Sequence, residues 1–341
     1  RAAVGYLPPL FDVKADRPAF EVHNARPWER AYLREQPIPG KGFAGRDGKH
    51  KIRVERMKKL YLSAPLPFMG QKRMFAREFI RVLEQFKDKT VFVDLFGGSG
   101  LLSHITKHQR PDATVIYNDY DGYCQRLQAI PQTNSLLSDL RTIAKDVPRH
   151  KPITGYARER IFERIIREEQ ERGYVDFITI SSSLMFSMKY QLSVEGMKKE
   201  TLYNNIRTTD YQPCPDYLDG LTVTSCDYKE LYEQYKDVPD VVFLVDPPYL
   251  STEVGTYKMY WRLSDYLDVL TVLNGHSFVY FTSNKSSIVE LCQWMGKNRT
   301  LGDPFEGCVK SEFNAHMNYS AKYTDIMLYK KQDETPCNRA A

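Results

Sequence analysis

Four consecutive residues in the C-terminal half, Asp246-Pro247-Pro248-Tyr249, join a carboxylate, a stiffened backbone and an aromatic ring. The apolar run Val241-Val242-Phe243-Leu244-Val245 ahead of them predicts a strand buried on both faces that delivers Asp246 to a sheet edge. The prolines fix the backbone that follows and remove its N–H donors. This makes a socket for a flat amine. The carboxylate can accept one N–H, a backbone carbonyl of the Asp-Pro stretch the other, and the Tyr249 ring can stack on the heterocycle.

A second segment, Val91 to Gly100, reads VFVDLFGGSG: an apolar strand ends at Asp94 and turns through glycines into a helix. Such glycines let a ligand approach the backbone, and the helix start offers free N–H groups. Counted from Gly98, Ser103 stands where a dinucleotide fingerprint needs its third glycine, and no Lys-Ser/Thr follows to make a Walker loop. The loop therefore suits a ligand without a pyrophosphate. Asp119, in YNDYD, ends the next strand, where an acid can accept hydrogen bonds from ribose hydroxyls. Asp227, in SCDY, follows another short strand and could accept from an exocyclic amine. Singly, each acid also reads as a turn or N-cap residue. Together they sit at strand C-terminal ends, where open α/β sheets bind ligands.

The elements that must hold these residues alternate. From Thr90 short apolar runs trade places with helical stretches, first TVFVDLF, LLSHITKH, ATVIYND and a helical region over about 120–147, later TVTSC, YKELYEQYK, VVFLVDPPY, LSDYLDVLTVL, SFVYFTS, SSIVELCQWM and two late strands. This predicts an α/β fold with a doubly wound, mostly parallel sheet built from 61–125 and 220–331. Residues 126–219 interrupt it as an inserted, mainly helical lobe. Its helix YARERIFERIIREEQERGY has an apolar stripe at Ile161, Phe162, Ile165 and Ile166. Five Arg balance five Glu between Arg158 and Arg172, as in a salt-bridge-laced solvated face. Residues 1–60, rich in proline, read as an extended arm and 332–341 as a tail.

With 341 residues, 42% hydrophobic and 27% charged, the chain is of ordinary globular composition, and no apolar run approaches the roughly 18 residues of a membrane span. Arg1-Ala2-Ala3 carries neither a signal segment nor an initiator Met, as expected of a trimmed or tagged intracellular protein. The net charge of +5 is unevenly placed: residues 41–59 hold eight Lys/Arg, among them Lys49, Lys51 and Arg53, against Asp47 and Glu55. Such a strip can neutralise phosphates or simply keep a tail solvated. The six cysteines are scattered without a CxxC pair, so they read as reduced thiols and no metal is expected. His104 and His108 read as a surface pair on one helix face, since no Glu stands between them as a metalloprotease motif requires.

Three motifs, in order, resemble those of the Dam-type (alpha group, D12 class) DNA adenine-N6 methyltransferases. Phe68-Met69-Gly70-Gln71-Lys72 is similar to that family's FxGxK, Asp94-Leu95-Phe96-Gly97-Gly98-Ser99-Gly100 to its DxFxGxG, and Asp246-Pro247-Pro248-Tyr249 to its DPPY. The long insertion falls where this group places its target-recognition region. The resemblance implies a seven-stranded Rossmann-like methyltransferase sheet and S-adenosylmethionine as cofactor. It sets Asp94, Phe96, Gly98 and Gly100 around the methionine end, Asp119 on the ribose, Asp227 near the adenine, and Phe68, Gly70 and Lys72 closing the same pocket. Asn284, in FTSNKS, resembles a loop bordering the active site. Double-stranded DNA is the implied partner, with Lys189, Lys198, Lys199 and Arg207 joining the basic strip as phosphate contacts. A cytoplasmic, nucleoid-associated monomer of bacterial or phage origin, in a restriction-modification setting, completes the expectation.

The reaction so implied is direct methyl transfer to N6 of a flipped adenine, with Asp246 and the Pro247 carbonyl holding the amine hydrogens. Rival substrates are cytosine N4, an RNA adenine and a protein glutamine amide. DPPY, with its acid, favours adenine, whereas many RNA- and protein-modifying relatives resemble NPPY. A DNA-binding relative without turnover is a further rival.

Overall fold

A computed structural model of the protein describes residues 59–186, 190–249, 261–284, 286–297, 302–316 and 322–332. Helix α1 (Ala76–Leu83) precedes β1 (Val91–Asp94), α2 (Leu101–Gln109) and β2 (Thr114–Asn118). Then come α3 (Tyr123–Gln128), α4 (Ile130–Ile143), β3 (Pro152–Ile153), α5 (Gly155–Arg172), α6 (Phe177–Leu184), α7 (Val194–Lys198) and β4 (Leu202–Tyr203). The chain continues through β5 (Thr222–Thr224), α8 (Tyr228–Tyr235), β6 (Val241–Val245), α9 (Leu263–Leu273), β7 (Ser277–Ser283), α10 (Ile288–Gly296), β8 (Val309–His316) and β9 (Lys322–Lys330).

Seven strands form one sheet in the order β5-β2-β1-β6-β7-β9-β8. The first five are parallel, and β9 runs antiparallel to both β7 and β8. Strand residues alternate faces with a period of two. Phe92, Val115, Tyr117, Val242, Leu244, Val279 and Phe281 pack with Phe75 and Phe79 beside α1 and α2. Val93, Ile116, Phe243, Val245, Phe278 and Tyr280 turn to the other face, under α8, α9 and α10. Every residue of β6 and β7 is buried, as the apolar runs VVFLV and FVYF within them predict. From β1 the chain winds outward to β2 and β5, then returns to β6 and winds the other way to β7. The crevice at the ends of β1 and β6 is thus the switch point where such sheets bind ligands.

Between β2 and β5 a third cluster of buried residues is assembled, including Tyr123, Leu136, Leu140, Ile161, Ile165, Ile180, Met197 and Tyr217. It joins five helices and the two-stranded antiparallel ribbon β3–β4. The helical region expected over about 120–147 comprises two helices, α3 and α4. Pro131, with no N–H to donate, stands in the first turn of α4, and the chain breaks at Ala129 just ahead of it. On α5 the stripe is Ile161, Phe162, Ile165 and also Glu168, whose buried carboxylate is held by Arg164 at 2.7 Å.

Candidate functional site

The parallel pairing of β1 with β6 sets Asp94 opposite Leu244, and Leu95 N–H donates to the Leu244 carbonyl at 3.1 Å. Asp94 therefore ends one strand beside the strand that leads into Asp246. The Asp94 side chain is fully buried. Its Oδ2 accepts the Ser103 hydroxyl at 2.6 Å, while Oδ1 has no donor. Burial pushes its pKa up to about 7; the Ser103 hydroxyl opposes the shift and the charge of Asp246 adds to it. A desolvated carboxylate with an unused oxygen fits a cationic or N–H-bearing ligand group. That chemistry suits the cofactor expected from the motifs, whose methionine end carries an ammonium group.

The glycine positions of the loop after Asp94 have no room for side chains. Gly98 has φ +50°, and a Cβ there would lie 3.0 Å from the Phe68 ring. At Gly97, which the motif leaves free, a Cβ would stand 2.3 Å from the Tyr117 ring and 2.7 Å from the Asn118 carbonyl oxygen. The loop is also tied down from outside. Tyr117 OH donates to the Gly98 carbonyl at 2.8 Å, and Tyr217 OH to the Ser99 carbonyl at 3.0 Å. Gly100, at φ +71°, opens α2. Phe96 lies 4.9 Å from Tyr228 and 5.7 Å from Trp261 between ring centroids, forming an aromatic wall beside the loop.

Asp119 is buried and caps α3, Oδ1 accepting Tyr123 N–H at 2.5 Å and Oδ2 accepting Cys124 N–H at 3.0 Å. The Tyr117 hydroxyl also lies 3.1 Å from Oδ1 and the Cys124 thiol is hydrogen-bonded to the same carboxylate, so of its roughly four lone-pair sites a ligand hydroxyl would compete with these neighbours for acceptance. Asp227 is the N-cap of α8, accepting Lys229 N–H at 2.8 Å. Both acids lie at the sheet edge expected of them and also serve as helix caps.

Asp246 follows β6 with its side chain largely buried, and Pro247 and Pro248 are buried behind it. Desolvation raises its pKa, and the Lys72 ammonium, 2.6 Å from Oδ2, opposes the rise. The resemblance groups Lys72 with Phe68 and Gly70 at the cofactor pocket. The structure separates their partners: Phe68 covers the glycine loop, while Lys72 reaches Asp246. Lys72 Nζ also donates to the Gly70 carbonyl at 2.7 Å and lies 5.3 Å from the centroid of the half-buried Tyr249 ring. The ammonium thus sits where a donor would meet both Asp246 and Tyr249, a pairing that no sequence motif reveals. Asn284 links β7 to β9, its Oδ1 accepting Thr324 N–H at 2.9 Å.

Of the basic candidates, Lys198, Lys199 and Arg207 are exposed. Arg207 lies 4.5 Å over the Tyr211 ring and donates to the Thr209 carbonyl. Lys49, Lys51, Arg53 and Lys189 lie outside the described residues. The histidine pair is corrected. His104 is 6% exposed, stacks on Tyr217 at 4.9 Å, accepts Tyr61 N–H through Nε2 and meets the Tyr217 carbonyl through Nδ1. Helical spacing places two histidines on one face without telling which neighbour covers it. Among the described residues no group of three or more His, Cys, Asp or Glu is placed to hold a metal, and no helix is long and apolar enough to cross a membrane.

Comparison with known proteins agrees with the motifs. The sequence profile of the D12 class N6 adenine-specific DNA methyltransferase family matches residues 68–273. A Haemophilus influenzae protein named "Putative methyltransferase" is 36% identical over 281 residues, covering 80% of this chain and 94% of its own.

Proposed function

The chain belongs to the D12 class N6 adenine-specific DNA methyltransferase family, and on that premise we propose that it transfers the methyl group of S-adenosylmethionine to N6 of an adenine flipped out of double-stranded DNA. The observation that carries the proposal is the seat at Asp246: a desolvated carboxylate, a proline-fixed backbone and the Tyr249 ring beside the switch-point crevice that holds Asp94 and the glycine loop.

The cofactor supplies a methyl group activated by its positively charged sulfur. Asp94 and the glycine loop would hold its methionine end, the buried Asp94 carboxylate being available to its ammonium group. Asp119 would accept from its ribose and Asp227 would serve its adenine.

An adenine amine is a poor nucleophile because its lone pair is delocalised into the ring. Asp246 accepts one N6 hydrogen and the Pro247 carbonyl the other, which favours a more tetrahedral nitrogen and stabilises the positive charge that develops on it. The Lys72 ammonium, 2.6 Å from Asp246 Oδ2, works against the effect of burial and favours the carboxylate form that accepts the amine hydrogen. Flipping costs a few kcal/mol in unstacking, offset in part by stacking on Tyr249. Residues 126–219 hold the opened duplex through Lys198, Lys199 and Arg207, and Lys189 and the basic residues of 41–59 are further candidates for phosphate contacts.

Incubating the enzyme with duplex DNA and S-adenosylmethionine, then digesting the DNA for nucleoside mass spectrometry, tests the reading. N6-methyladenine is the expected product. N4-methylcytosine in place of N6-methyladenine, or no methylated nucleoside from any duplex while RNA or protein supplied in parallel is methylated, rejects it.

A further inference from the structure

Three segments distant in sequence converge on the short helix α3. Its N-terminus is gripped by Asp119, the acid assigned above to the cofactor ribose. On the same helix, the Tyr123 hydroxyl accepts Leu66 N–H at 3.0 Å and the Tyr123 ring meets Phe68 edge-on at 5.8 Å. Phe68 is the residue that closes on Gly98. Near the helix end lies Arg126, 4% exposed and stacked over Tyr123 at 5.1 Å. Its Nη2 donates to the Pro67 carbonyl at 2.6 Å and to Thr179 Oγ1 at 3.2 Å, and its Nε donates to Asp176 Oδ1 at 2.9 Å. Asp176 in turn is the N-cap of α6, accepting both the backbone N–H and the hydroxyl of Thr179.

A buried ion pair is a weak source of net stability, because desolvation offsets its Coulomb gain. This one is left with Arg126 Nη1 unpartnered, a further cost. Its geometry does something else. The guanidinium fork joins the strap 64–72 to the first turn of α6, and Tyr123 ties the same strap to the helix that Asp119 caps. A displacement of α3 at the cofactor edge therefore moves the strap over the glycine loop together with α6 of the inserted segment.

We propose that Tyr123 and Arg126 are positioning residues through which occupation of the glycine-loop pocket and binding of DNA by residues 126–219 strengthen one another. The proposal rests on the functional reading above, and by linkage the coupling is reciprocal: cofactor raises DNA affinity by the same factor as DNA raises cofactor affinity.

The test uses the full chain, S-adenosylhomocysteine and a duplex that the wild type methylates. DNA affinity with and without S-adenosylhomocysteine is read by anisotropy, and S-adenosylhomocysteine affinity with and without DNA by calorimetry. We expect each ligand to tighten the other about fivefold or more in the wild type. Arg126→Lys retains the charge beside Asp176 but lacks the fork that also holds Pro67. Tyr123→Phe retains the ring and removes one hydroxyl. In both variants the mutual enhancement should fall below about twofold, with each ligand alone still bound.

Hydrogen exchange supplies a readout without DNA. S-adenosylhomocysteine should slow exchange at 91–101, 64–72 and 177–184 in the wild type, and at 91–101 but not 177–184 in the variants. Lowered thermal midpoints with an unchanged coupling factor would mark the residues as merely structural and overturn the proposal, as would a wild type with no mutual enhancement. If no duplex is methylated, the functional reading itself falls and takes the proposal with it. Methylation without cofactor-dependent protection of 177–184 refutes the relay alone.

Discussion

Replacing Asp94 with Asn should have opposite effects on stability and on cofactor binding. Burial raises the folded-state pKa of Asp94 to about 7 from an ordinary value of 3.8. A raised carboxylate pKa means that this group favours the folded state fully below about pH 4 and that the advantage is lost as pH rises through 7. At about 1.4 kcal/mol per unit, ionising Asp94 in the ligand-free protein destabilises it by about 4 kcal/mol at pH 8. An asparagine side chain carries no charge at any pH, so Asp94→Asn should be more stable than wild type at pH 8 by up to about 4 kcal/mol, and the gap should narrow by about 1 kcal/mol at pH 6. Binding runs the other way. If ionised Asp94 receives the cofactor ammonium, its charged fraction rises from about one tenth at pH 6 to about nine tenths at pH 8, and affinity should rise about tenfold. Urea denaturation at both pH values, with calorimetric titration of S-adenosylhomocysteine, measures both effects. Wild-type affinity that is flat from pH 6 to 8, or an Asp94→Asn protein less stable than wild type at pH 8, would refute the assignment.

Lys72→Met leaves a buried carboxylate without its cation, so stability should drop by about 3–5 kcal/mol and turnover at pH 7 should collapse; Lys72→Arg should recover part of both in denaturation and rate measurements. Gly97→Ala drives a Cβ into Tyr117 and the Asn118 carbonyl, and overpacking together with disturbed Tyr117 hydrogen bonds should cost about 3 kcal/mol or more. Gly122→Ala meets open space at φ +75°, so only the backbone term of about 1–2 kcal/mol remains; equal losses at both sites would contradict the packing account. Tyr249→Ala should lower kcat by removing the stacking face, with little change in S-adenosylhomocysteine affinity by calorimetry, and a large loss of that affinity would move Tyr249 into the cofactor pocket.

Much of this architecture is legible in the sequence because short strands buried on both faces leave unbroken apolar runs. VVFLV and SFVYFTS read directly as β6 and β7. The glycine loop and Asp246 stand at strand ends, where local order alone fixes their place. What escaped sequence reading depends on contacts across the fold. Lys72 meets Asp246 only because the strap crosses the end of β6. His104 is covered by Tyr61 and Tyr217, so helical periodicity alone could not bury it. Gly97 looks optional until Tyr117 is seen beside it. Arg126 and Asp176, fifty residues apart, carry no motif, and only the third core assembled around them brings them together.

Whether Asp246 holds an adenine amine for methyl transfer is decided by nucleoside mass spectrometry of duplex DNA treated with wild type and with Asp246→Ala. N6-methyladenine is expected from the wild type and none from the variant, with the fold and much of the DNA affinity retained. N6-methyladenine formed by Asp246→Ala at a rate near wild type would remove Asp246 from the mechanism and contradict the proposed function of this seat.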